Sequence, residues 1–202
     1  MKNALNLNHF PEGLFAPQLE TLSIIGMEKL KSLPKQMSAL LPSLNHLFIG
    51  DCPVLELSDG CLPPNLKSMY LLNCSKLVGS LKGALGANPS LENLSISDVD
   101  VESFPDEGLL PLSLTELEIN DCRNLKKLDY RGLSRLSSLK ELTLHNCQIL
   151  RCLPEEGLPE SISELRIEDC PLLKQRCNKE GEDWEKIAHI EDIWVDGELV
   201  NI

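Results

Sequence analysis

The sequence predicts an α/β repeat solenoid, with a parallel sheet on its concave face and short helices and turns on its convex face. Three observations predict it. A leucine-led pattern returns seven times, and each return carries a short period-2 alternation of apolar residues. The core this implies is aliphatic, because hydrophobic residues make up 42% of the 202 residues and aromatic residues only 4%.

Self-similarity at a period of 20–50 residues is the mark of a stacked-repeat architecture. Leu19, Leu44, Leu66, Leu91, Leu114, Leu139 and Ile162 open the units. Three residues later stand Leu22, Leu47, Met69, Leu94, Leu117, Leu142 and Leu165, and two further on Ile24, Ile49, Leu71, Ile96, Ile119, Leu144 and Ile167. Alternation at +3 and +5 reads as a strand with those side chains inward. One unit cannot bury its apolar face alone, but stacked units bury a continuous core. The fourth unit departs at its end, where Val101 comes one place early, as if a residue were deleted.

The steps between opening residues are 25, 22, 25, 23, 25 and 23. Long returns, such as LDYRGLSRLSS, have room for a helical turn or two. Short returns carry an acidic-Gly turn, SDGC (58–61), DEGL (106–109) and EEGL (155–158), as does PEGL (11–14) ahead of the first unit. Glycine suits them because a tight turn needs positive φ.

Position +8 holds Cys52, Cys74, Cys122, Cys147 and Cys170, with Met27 and Val99 in the remaining units. A cysteine is small, apolar and a weak donor, which suits the inside of the bend after a strand. The residue before it is Asp51, Asn73, Asp98, Asp121, Asn146 or Asp169. Such side chains commonly bond a backbone amide two residues on and so support a bend. A cation-binding ladder is the alternative.

At the ends the pattern changes. Residues 1–18 read as the tail of a truncated preceding repeat, with Phe10-Pro11 in the slot later held by Phe104-Pro105 and Leu153-Pro154. Residues 19–173 form the seven repeats. Residues 174–202 read as a capping segment, with Asp183 as a helix N-cap before Trp184. Within it Ile190, Ile193 and Val195 restore the +0, +3, +5 spacing as a final strand.

Net charge is -12 and the pI about 4.8, which argues against nucleic acid or an anionic membrane as partner and favours a basic protein surface. No run of about 18 apolar residues is present to span a membrane, and the first residues lack the apolar core of a secretory signal. The eight cysteines are therefore expected to be reduced thiols.

The consensus LxxLxLxxCxxLxxLP, complete in LKELTLHNCQILRCLP (139–154), resembles the cytoplasmic leucine-rich repeats of plant disease-resistance proteins. The segment CPLLKQRCNKEGEDWEKIAHIEDIWVDG (170–197) is similar to the closing segment of their coiled-coil-bearing subgroup. These are intracellular immune receptors of the nucleotide-binding, leucine-rich-repeat class, and the likeness covers essentially the whole chain. The resemblance implies a leucine-rich-repeat horseshoe, the C-terminal domain of such a receptor, located in the cytoplasm. Its role would be to sense a pathogen effector or a guarded host protein and to help hold the receptor inactive. The family's nucleotide switch belongs to an upstream domain, and no GxxxxGK[ST] occurs here. The resemblance implies no catalytic role and no cofactor. The substrate-recognition arm of an F-box-type ubiquitin ligase is the alternative, and a secreted repeat receptor the third.

On the concave face the outward positions are +2, +4 and +6. The expected protein-binding residues are Ile25, His46, Phe48, Tyr70 and Leu72 in an apolar-aromatic half, and Glu116, Glu118, Glu141, Glu164 and Glu168 in an acidic half. His145, Arg166 and Trp194 complete the set. Exposed apolar clusters often mark binding surfaces. The acidic half would steer a basic effector or dock the receptor's own switch domain. Covering neighbouring strands and plain solvation are the structural alternatives.

Metal and thiol chemistry have weak support. His9, His46, His145 and His189 lie far apart in unlike repeat positions, and four ligands in tetrahedral reach are not evident. Disulfides between the stacked Cys122, Cys147 and Cys170 are compatible with distance. Cys61, Cys152 and Cys177 lie outside the ladder and are the better candidates for reactive thiols. The sequons at Asn73 and Asn93 fall in a turn and on a strand. An enzyme is not expected.

Overall fold

Ten strands form one sheet whose order follows the chain, and all but the last pair are parallel. This computed structural model describes residues 4–7, 11, 13–85 and 90–200. The expected Phe10 slot and His9 lie outside them. The strands are β1 (Ala4–Leu7), β2 (Thr21–Ile25), β3 (His46–Gly50), β4 (Ser68–Leu72) and β5 (Asn93–Ser97). After the short β6 (Ser103–Phe104) come β7 (Glu116–Asn120) and, after the short β8 (Lys127–Leu128), β9 (Glu141–His145) and β10 (Glu164–Glu168). β11 (Asp192–Val195) continues the parallel run, and β12 (Glu198–Leu199) closes it antiparallel. The chain is a leucine-rich-repeat solenoid.

Register is the reason the repeat works. Leu22 pairs with Leu47, Leu47 with Met69, Met69 with Leu94, Leu94 with Leu117, Leu117 with Leu142 and Leu142 with Leu165. Every one of these, and every +5 partner from Ile24 to Ile167, is buried. A slip by one residue would turn all of them to solvent, so burial itself holds the register. The strand at Ala4–Leu7 lies in the segment expected as a preceding tail, so that segment contributes a strand as well as a return; Leu5 pairs with Leu22.

The long and short returns differ as their lengths require. Helices α1 (Met37–Leu40), α2 (Ser75–Gly79), α3 (Leu81–Leu85) and α4 (Tyr130–Leu133) all fall in the 25-residue units. The short returns have turns with positive φ at Gly60, Gly108 and Gly157. Strands stack about 4.8 Å apart, whereas helical returns need more room, which puts the sheet on the inner side of the curve. In the fourth unit the Val101 amide donates to the Val99 carbonyl at 3.2 Å. That tight three-residue turn absorbs the missing residue.

The Asp/Asn ladder has a different basis from the one expected. Asp51, Asn73, Asp98, Asp121, Asn146 and Asp169 all have φ between 50° and 54°. They are there because Asp and Asn tolerate the left-handed conformation better than other non-glycine residues. Their side-chain bonds run sideways between coils rather than to an amide two residues on. Asn73 Nδ2 donates to Asp51 Oδ1 (2.9 Å) and Asn146 Nδ2 to Asp121 Oδ1 (2.6 Å). Their backbone amides extend the sheet ladder, as from Asp51 to the Leu72 carbonyl (3.0 Å).

The cysteines next to them are buried and act as weak donors. Cys52 Sγ reaches the Gly50 carbonyl (3.3 Å), Cys74 Sγ the Leu72 carbonyl (3.1 Å) and Cys122 Sγ the Asn120 carbonyl (3.3 Å). Each thiol thus fills the bend and engages a carbonyl there, which an alanine could not do.

The cap, residues 174–200 together with α5 (Pro171–Arg176), is locked by one carboxylate. Asp183 stands before a 3-10 turn at Trp184–Lys186, but its side chain caps nothing there. It is 0% exposed and turns inward. It accepts from the Leu153 amide (2.8 Å), from Arg176 Nε (3.2 Å) and Nη2 (3.1 Å), and pairs with Lys186 Nζ (3.0 Å). Burial alone would raise its pKa, but the bonds from Arg176, Leu153 and Lys186 outweigh burial and hold the carboxyl below its usual range. The expected N-cap is instead a tie between cap and repeats, because a buried charge is stable only where it is surrounded by donors.

Candidate functional site

Strand alternation leaves three rows of side chains on the open face of the sheet. The first row runs Thr21, His46, Ser68, Asn93, Glu116, Glu141, Glu164 and Asp192 in direct register. The second runs Ser23, Phe48, Tyr70, Ser95, Glu118, Thr143, Arg166 and Trp194. The third runs Ile25, Gly50, Leu72, Ser97, Asn120, His145 and Glu168. All thirteen of the expected face residues fall on these rows.

The apolar half is a single cluster. Phe48 and Tyr70 are direct neighbours, and Ile25 and Leu72 flank Gly50. Ile25 is 45% and Tyr70 42% exposed, while Phe48, Leu72 and His46 are half-buried. Phe48 lies over Gly50: a Cβ there would come 2.9 Å from the ring carbon Cε1. Gly50, outward by alternation, is therefore buried, and Ser68, between His46 and Asn93 in the first row, is buried as well. The missing Gly50 side chain is the seat for the Phe48 ring, a relation that alternation alone does not reveal.

The acidic half is a column rather than a scatter. Glu116, Glu141 and Glu164 pair across consecutive parallel strands, with Asp192 next in line. Like charges about 5 Å apart repel by roughly 0.8 kcal/mol even at the dielectric of water. Relief comes at the two ends. Asn93 Nδ2 donates to Glu116 Oε2, and Arg166 pairs with Glu164 while its guanidinium sits 5.3 Å from the centre of the Trp194 ring. Arg166 and Trp194 are thus engaged with each other, and Arg166 offsets the far end of the column. His145 Nε2 is 3.6 Å from Asp169 Oδ2. Burial first, then the charges of Glu141 and Glu118, push the Glu116 carboxyl up from its ordinary value.

An acid whose pKa is raised by folding stabilises the fold only while protonated, and that contribution is lost as pH rises through the unfolded and then the folded value. At neutral pH the charged Glu116 therefore costs stability, through burial first and through the charges of Glu141 and Glu118 second. Glu141→Gln is expected to stabilise the chain by roughly 0.2–1 kcal/mol, read as a higher urea midpoint at pH 7. Loss of that gain in about 1 M salt would identify repulsion as the cause, because charges separated by more than about 3 Å are then screened. A lower midpoint for the variant would show that the column does not repel.

All eight cysteines are free thiols. Burial pushes the Cys74 and Cys122 thiols up to about 11 and the Cys177 thiol up to about 12, and raises Cys52 and Cys61. Cys147 is raised by its hydrogen bond with the Cys170 sulfur and by burial. Cys61 and Cys177, expected as reactive thiols, are buried, and a desolvated thiol resists forming the nucleophilic thiolate. Cys152 alone is partly accessible. Iodoacetamide at pH 8 is expected to label Cys152 first in the folded chain, with the other seven labelled only in denaturant. Mass spectrometry showing Cys61 or Cys177 labelled at the same rate would refute that burial. Among the described residues, no group of three or more His, Cys, Asp or Glu could hold a metal ion. No helix among them is long and apolar enough to cross a membrane.

Comparison with known proteins adds context to this geometry. No protein-family model matches the chain. Of solved structures, the TLR13 chain in a complex named TLR13-ssRNA13 shares 17% identity, with a TM-score of 0.35 over 89% of this chain and 36% of that one. So distant a likeness bears on neither ligand nor function. Over 126 residues, 61% of its length, the chain is 34% identical to an Arabidopsis thaliana protein named as a disease resistance protein, of which it spans 9%.

Proposed function

We propose that this chain is the non-catalytic recognition domain of a plant immune receptor of the nucleotide-binding, leucine-rich-repeat class, its coiled-coil-bearing subgroup. It senses a pathogen effector or a guarded host protein in the cytoplasm and, through the receptor's own switch domain, contributes to autoinhibition in the defence response. The observation that carries this reading is the open sheet face. An apolar cluster at Ile25, Phe48, Tyr70 and Leu72 shares the face with the in-register carboxylates Glu116, Glu141 and Glu164. Partner binding accounts for both features, the exposed Ile25 and Tyr70 as anchors and the carboxylates as a charged rim. The similarity to a protein named for disease resistance supports the setting.

The test is transient expression in leaf tissue of a full-length receptor bearing this segment. Two variants are compared with the parent, one Ile25→Ser with Tyr70→Ser, the other Glu118→Lys with Glu141→Lys. Loss of pathogen-triggered cell death is the outcome expected for sensing, and cell death without pathogen the one expected for lost autoinhibition. Parental behaviour from both variants, at parental protein level, would refute the reading.

A further inference from the structure

The two halves of the sheet face are fixed relative to each other, and their separation defines what can bridge them. Resting on the recognition reading above, we propose that the partner presents one protein segment with an aliphatic or aromatic anchor at one end and clustered lysine or arginine side chains about 15 Å away. The anchor packs on Tyr70 and Ile25, and the cations meet Glu118 and Glu141.

The distance follows from the sheet. From the Phe48–Tyr70 pair on β3 and β4 the face crosses β5 to reach Glu118 on β7 and Glu141 on β9. Strand spacing of about 4.8 Å and a rise of about 3.3 Å per residue set that diagonal. The ground between, Ser95, Ser97 and Asn93, is small and neutral, so a backbone can pass over it without a clash or an unpaired charge.

Charge complementarity selects the occupant. The column Glu116, Glu141 and Glu164 is in direct register, and only Glu164 has an arginine beside it. A cation placed against Glu118 and Glu141 relieves repulsion that the free chain carries, so binding gains where the free face is frustrated. A second copy of this chain fits poorly. With net charge -12 on each copy, a two-fold contact would set carboxylates against carboxylates or against the apolar cluster. A polyanion is repelled outright.

The probe is a labelled synthetic peptide with a Phe-Leu anchor, a spacer of about five Ser/Thr/Gly residues long enough to reach, and a Lys-Arg-Lys end. Binding to this chain is followed by fluorescence anisotropy at two salt concentrations. Glu118→Gln with Glu141→Gln is expected to weaken binding at least about tenfold and flatten its salt dependence. Tyr70→Ser is expected to weaken it by a similar factor with the salt dependence kept. Splitting the probe into separate Phe-Leu and Lys-Arg-Lys peptides is expected to lose about tenfold or more, since the second contact is then no longer intramolecular.

Binding by the separate pieces as tight as by the joined peptide, equal binding of a Glu-Glu-Glu peptide, or no binding at millimolar peptide would overturn the proposal. So would concentration-dependent dimerisation in sedimentation that Tyr70→Ser abolishes, which would assign the face to a second copy. If the peptide fails while the leaf variants change the response, this proposal falls and the recognition reading stands. If the peptide binds as described but the leaf response is unchanged, the bipartite site stands and the receptor reading falls.

Discussion

Replacing Asp183 with asparagine is expected to release the C-terminal cap while the repeats stay folded. The substitution keeps the volume but removes the charge that Arg176 and Lys186 share with the Leu153 amide. Breaking a buried ion pair from one side costs about 3–5 kcal/mol. The lower figure applies, because Arg176 also pairs with Glu182 and is partly exposed. Both tryptophans of the chain, Trp184 and Trp194, lie in the cap. Their fluorescence therefore reports this region alone, and far-UV circular dichroism the whole solenoid. In the variant the fluorescence transition should precede the dichroism transition in urea, as nearest-neighbour coupling allows in a stacked array. Coincident transitions at the parental midpoint would show that Asp183 is not the tie.

Acid should do to the parent what asparagine does at every pH. The Asp183 carboxyl is held low in the folded cap, so on acidification the unfolded chain takes up this proton first. The stabilisation is full above about pH 4 and lost as pH falls through the folded value. The asparagine variant should lack this acid-sensitive cap transition, and finding it unchanged would remove Asp183 as its source.

Leu117→Ala is expected to destabilise the array by about 2–5 kcal/mol through a cavity that neighbouring coils cannot close. Leu117 is fully buried and sits between Leu94 and Leu142 on adjacent strands, so collapse from either side would break the register. Leu112, 60% exposed and only five residues away in the chain, is the control: its alanine variant should stay within about 0.5 kcal/mol of the parent. Equal midpoints for the two alanine variants would mean that the inward positions are wrongly assigned.

Much of the face was legible in the sequence for a simple reason. A strand has period 2, and a parallel stack repeats one register, so Leu22 and Ile24 fix the sense of every later unit once the spacing is known. The same logic placed Glu116, Glu141 and Glu164 on one side and put helices in the long returns. What could not be seen was how side chains on neighbouring coils use one another. Phe48 lies over Gly50 because the glycine leaves a space, and Arg166 stands over Trp194 because a strand 28 residues later comes alongside.

The Asp and Asn residues before the bend illustrate the same divide. Their recurrence marked a turn in the sequence, but the left-handed backbone and the sideways bonds from Asn73 to Asp51 and from Asn146 to Asp121 belong to the stacked coils. Asp183 shows it most sharply, since as a letter before tryptophan it resembles a cap.

By itself the sequence determined the repeat, the inward and outward positions and the alternating returns, because each depends on a local period that stacking only multiplies. Tertiary structure alone decided that Asp183 is buried among Leu153, Arg176 and Lys186, that Cys61 and Cys177 are shielded, and which face residues hold one another. Burial and charge pairing depend on residues brought together from separate turns of the chain, and no period within one turn encodes them.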